Sequence, residues 1–148
     1  MKKLLCCMMV VTLLVCIVPI SASASETDVI YFDDGSYITV QMSMINLRAS
    51  GTVKGNKVYT HYGSDNASNW KVVLTGSFTH TGSNATCTAS SIDVTIYDSA
   101  WYVISKSANK SGNEAYGTAT IGEKVLGVTV SKISTDLSLS CDANGNLS

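Results

Sequence analysis

Proline is almost absent from this chain. The one proline, Pro19, lies in an apolar leader, so the residues after it cannot carry the proline-containing sortase motif that links proteins to a Gram-positive wall. Histidine is nearly as scarce, with His61 and His80 the only two. A hydrolase relay needs a nucleophile, a base and an orienting acid. Neither histidine stands in such a context, and G-x-S-x-G is missing. A small secreted hydrolase using His61 or His80 as base is therefore an alternative function, not the leading one.

Charge is also sparse, at 14% of residues. Once Lys2 and Lys3 leave with the leader, eight basic residues face eleven acidic ones, a net charge of about −3. That balance offers no clustered basic surface for nucleic acid. It also offers no polybasic patch for a membrane, and it argues against a secreted antibacterial effector that attacks anionic bilayers directly, a further alternative.

What is present begins at the N-terminus. Lys2 and Lys3 precede the apolar run Leu4 to Ile20, and Ala22-Ser23-Ala24 then places small residues where a signal peptidase reads. This layout predicts a helical secretory signal at 1–24, cleaved after Ala24, and a secreted domain at 25–148. The run of about 17 residues is at the lower edge of what spans a bilayer, which disfavours a retained anchor. Val15 before Cys16, and Leu5 before Cys6-Cys7, disfavour lipidation. The protein is expected to be extracellular, with no membrane contact after cleavage.

Five cysteines then fall to two, because Cys6, Cys7 and Cys16 lie in the leader. In an oxidising destination, Cys87 and Cys141 are expected to form a disulfide. It would close a loop of about 54 residues and contribute up to roughly 4 kcal/mol in the chain-entropy model.

The remaining residues alternate between β-rich runs and Gly/Asn/Ser/Asp turns, with no period of 3.6. Ile38, Val40, Met42 and Met44 share one phase. Trp70, Val72, Leu74, Gly76 and Phe78 share another, as do Ile133, Leu137, Leu139 and Cys141. Lys54-Gly55-Asn56-Lys57 reads as a hairpin turn. The phase slips at Ser90-Ser91, which predicts a bulge there. Trp101 to Ser105 reads as a strand and Ser107 to Asn113 as a polar loop. A turn is expected between Gly122 and Gly127. The fold class is all-β: one antiparallel β-sandwich of seven or eight strands. An immunoglobulin-like version is suggested by Trp101 between Cys87 and Cys141, although Leu139 stands where that fold has a tyrosine.

From Tyr31 onward the chain resembles small exported proteins of Gram-positive bacteria. The stretches that carry the resemblance are Asp34-Gly35-Ser36-Tyr37, Tyr62 to Asn66, Phe78 to Cys87, Thr95 to Ser99 and Ser140 to Ser148. The resemblance implies export and brings no activity or functional residue with it.

The chemistry-bearing candidates are few. Asp33 and Asp34 are neighbours, and neighbours in extended chain point to opposite faces, so they do not form an acid–base pair. Asp142-Ala143-Asn144-Gly145-Asn146 departs from a calcium loop, with glycine two positions early and no closing glutamate, and reads as a turn. No metal or cofactor is called for. Trp70 and Trp101 are expected in the core. Tyr59, His61 and Tyr62, beside the polar stretch at 63–69, are the expected binding surface. The leading function is thus a non-catalytic extracellular binding module for a protein or glycan.

Overall fold

The computed structural model describes residues 27–45 and 51–148. The expected signal helix and its cleavage site lie outside them. Eight antiparallel strands form two sheets. The first holds β1 (Thr27–Tyr31), β2 (Tyr37–Ile45), β3 (Thr52–Tyr62), β4 (Ser68–His80) and β5 (Ala85–Ile96), in that order. The second holds β6 (Trp101–Ser111), β7 (Glu114–Val125) and β8 (Val128–Ser140). The all-β sandwich is as the alternation predicts. Every ladder joins strands consecutive in sequence, so the topology is an up-and-down meander. The immunoglobulin arrangement needs Greek-key connections and is not the one adopted.

Alternation places the core. Along β4, each of Trp70, Val72, Leu74, Gly76 and Phe78 is buried, and every residue between them is at least partly open. From the second sheet, Ala115, Ala119, Ile121, Leu137, Leu139 and Cys141 meet them. Each large side chain fully buried here contributes about 1.5–3 kcal/mol. Glycines let the sheets approach closely. Gly55 and Gly76 are paired across β3 and β4. A methyl on Gly55 would strike Leu147 of the C-terminal segment, and one on Gly76 would lie 2.7 Å from the Phe78 ring.

That packing corrects the turn expected at Lys54–Lys57. β3 runs straight through it, with Gly55 facing inward and Asn56 accepting a hydrogen bond from Thr75 on the outer face at 2.9 Å. Glycine is there for close approach rather than for a bend. The β5 bulge falls two residues earlier than expected. Ser77 pairs with Ala89 and Phe78 with Cys87, which leaves Thr88 extra. Its hydroxyl bonds the Ser77 carbonyl at 3.1 Å. β6 extends through Ser111, so most of the expected polar loop is strand. As the sheet's outer strand it is open to water along most of its length, and the apolar alternation that marks a half-buried strand is lost.

The expected bridge is not formed in the structure: Cys87 and Cys141 are free thiols, and both are buried. They do share one corner of the core. The Cys87 N–H bonds the Gly112 carbonyl at 2.8 Å, and the Cys141 N–H bonds the Asn113 carbonyl at 3.0 Å. Adjacent residues of the β6–β7 turn thus hold both cysteine backbones. Burial pushes both thiols above their ordinary titration range, and for Cys141 the nearby Asp142 and Cys87 add to it.

Candidate functional site

In a meander, alternate connections lie at the same end. The β1–β2 turn, the β3–β4 loop, the β5–β6 corner and the β7–β8 turn therefore gather at one end of the sandwich, called here the loop end. Local chemistry fixes each. In the first, Gly35 has φ of +82°, and Asp34 Oδ1 accepts from the Ser36 N–H at 2.9 Å and its hydroxyl at 2.6 Å. These bonds hold the Asp34 carboxyl below its usual range. In the second, Asn66 takes a positive φ of 64° and Asp65 Oδ1 accepts from the Ala67 N–H. In the third, the Asn69 carbonyl accepts from the N–H groups of both Tyr97 and Asp98. The fourth is a two-residue turn with Leu126 at +51° and Gly127 at +81°. Two positive φ values are the signature of a type I′ hairpin.

The three residues expected to form a surface are separated. His61 and Tyr59 lie in the inward phase of β3, opposite Ile38 and Val40. His61 is only 2% exposed. Tyr62 points outward, because successive strand residues alternate faces. Reading a turn at Lys54–Lys57 broke the phase that would have carried His61 inward from Val53 and Gly55.

Inside the loop end, His61 belongs to an aromatic cluster. Its ring stacks on Trp70 at 5.0 Å with 4° between planes, and Trp101 tilts onto it at 5.0 Å from the opposite sheet. Phe32 covers it at 6.0 Å. Asn69 Nδ2 lies 3.2 Å from His61 Nδ1. With the amide nitrogen donating, Nδ1 is the acceptor and Nε2 carries the proton. Burial pulls the imidazole below its ordinary pKa, and the Asp34 charge opposes that only in part. His61 is accordingly a neutral ring at neutral pH. The described buried side-chain atoms with no partner are Trp70 Nε1 and Ser90 Oγ. The His61 ring forms part of the wall of a cavity.

That cavity, of about 410 Å³, opens between the two sheets. Phe32, His61 and Trp101 give it aromatic walls, while Asp34 and Glu123 bring charge. No family model, curated protein or solved structure matches this chain. The site's chemistry is therefore argued from its own geometry. No group of three or more His, Cys, Asp or Glu among the described residues could hold a metal. His80 lies at the opposite end, with Gly145 against its ring, and is remote from this cluster.

The outer flank of the loop end carries a second aromatic group. Tyr31, Tyr37 and Tyr62 occupy one cross-strand row over β1, β2 and β3. Their ring centroids are 5.7 and 4.9 Å apart in turn. The Tyr37 hydroxyl donates to Asn66 Oδ1 at 3.2 Å. The sequence could not place Tyr31 and Tyr37 beside Tyr62, because a cross-strand row depends on register.

Proposed function

We propose that the chain is a non-catalytic extracellular binding module that holds a glycan or protein ligand at its loop end. One observation carries this reading: apolar side chains that a fold would ordinarily bury are displayed there together. Tyr31, Phe32, Tyr97, Val125, Leu126, Val128 and Val130 are all exposed in or beside the four connections, with Leu126 at 100%. Exposed apolar side chains gathered at one end of a fold suit an interaction surface. The tyrosine row adds flat rings suited to sugar faces or a protein interface. Export is supported by the leader's layout, and in an oxidising exterior the neighbouring thiols of Cys87 and Cys141 join as a disulfide.

The hydrolase alternative has one observation in its favour, since Asp34 and Glu123 line a cavity with His61. Against it, among the described residues the hydrogen-bond partner of His61 is Asn69 rather than a nucleophile, and Asp34 is held ionised by Ser36 rather than poised as an acid.

The test is retention of the exported protein on a glycan panel and on cell-surface protein fractions. Combined Tyr31→Ala and Leu126→Asn changes are expected to weaken retention roughly tenfold or more, the effect of removing interface anchors. Retention untouched by both changes refutes the reading.

A further inference from the structure

We propose that the cavity beside His61 takes one uncharged pyranose ring of a glycan. This rests on the binding-module reading and assigns that module its ligand chemistry.

The argument starts from size. Ligand sites run from about 300 to 1,000 Å³, and this one, at about 410 Å³, is near the small end. It suits one or two rings better than a folded peptide segment.

The lining then sets the chemistry. Phe32 and Trp101 give apolar walls for the C–H face of a sugar. Asp34 is fixed through Oδ1 by both Ser36 bonds, which leaves Oδ2 to accept from a ligand hydroxyl. Glu123 stands opposite Trp101 in the β6–β7 ladder, so a second carboxylate acceptor borders the indole. The Ser131 hydroxyl, in the same inward row as Trp101 and Glu123, and the His61 ring N–H are donors. Donors and acceptors beside aromatic walls match a ring of hydroxyls, each of which both donates and accepts.

Competing ligand classes fit less well. Two carboxylates beside a neutral His61 leave the cavity negative, which disfavours phosphates and sugar acids. An apolar ligand would strip water from two carboxylates and return no hydrogen bond.

The protein's two tryptophans make the test direct. Indole N–H signals of Trp70 and Trp101 are followed by nuclear magnetic resonance while glucose, N-acetylglucosamine and glucuronic acid are added separately. A neutral sugar is expected to shift the Trp101 signal saturably, with glucuronic acid weaker. Glu123→Gln should weaken the neutral sugar roughly tenfold, the cost of a lost charged hydrogen bond. Asp34→Asn serves as a second variant, and Tyr116→Ala, at the far end, should change affinity less than twofold. The inference is overturned if no sugar shifts Trp101 saturably, if glucuronic acid binds more tightly, or if neither carboxylate variant weakens binding. Should that happen while Tyr31→Ala with Leu126→Asn still weakens retention, only the sugar assignment falls. Failure of both experiments removes the module reading too.

Discussion

Replacing Gly76 with alanine tests how closely the two sheets approach. The ordinary expectation for glycine to alanine is a gain of about 0.4–1 kcal/mol, because the unfolded chain loses freedom. Here the sign should reverse. The added methyl would lie 2.7 Å from two ring carbons of Phe78 and 3.1 Å from the Ala115 methyl. Ordinary carbon contacts are about 3.5–4.0 Å, so the Phe78 ring must move by roughly 1 Å. It is fully buried and has no open side to move into. Overpacking of this kind costs about 1–3 kcal/mol. Net of the entropic gain, Gly76→Ala should destabilise by roughly 1–2 kcal/mol. At about 2.1 cal/mol/K per residue, this lowers the melting midpoint of a domain this size by roughly 4–8 °C. Thermal unfolding by circular dichroism reads the change. Phe78→Leu, which costs stability alone, should cancel most of the alanine penalty in the double variant. A midpoint that rises in Gly76→Ala, or additive effects in the double variant, would show that the ring does not lie over that glycine.

Three further outcomes are expected. Leu126→Asn should raise stability by about 1 kcal/mol, because leucine at positive φ is strained and asparagine is not; denaturant midpoints check it, and an unchanged midpoint contradicts the strained turn. For His61, the folded pKa lies below the ordinary 6.5. As pH falls below about 6.5 the unfolded chain takes the proton first, so stability is full above that pH and declines until the folded imidazole titrates; His61→Gln should flatten that decline in urea titrations at stepped pH. Alkylation of the reduced protein at neutral pH should be slow at both Cys87 and Cys141, because buried thiols form little thiolate. Oxidation, which removes two electrons and two protons, should block alkylation and raise the melting midpoint, and thiols still reactive in exported protein would contradict the bridge.

Much of the architecture was legible because it depends on a period of two. The inward sets of β2, β4 and β8 follow directly from their sequences. Cys87 and Cys141 fall in inward phases of their strands, as their neighbours suggested, although no bond joins them in the structure. What failed depends on partners remote in sequence. Gly55 resembled a turn because the leucine it accommodates, Leu147, lies at the other end of the chain. The division into five and three strands follows from where the sheet breaks at Tyr97–Ala100, which no local signal announces. The site suffered most. Its cavity joins Phe32, His61, Trp101 and Glu123 from four separate segments, and its tyrosine row exists only through register.

The consecutive order of the strands bears on how the polypeptide acquires its shape. Within each sheet every strand pairs with the one before it in sequence, so most pairings close short loops, a modest entropic barrier. All-β chains usually fold slowly because their pairings are distant in sequence. This one can zip hairpin upon hairpin within each sheet, leaving the docking of the two sheets and of Leu147 as the non-local steps.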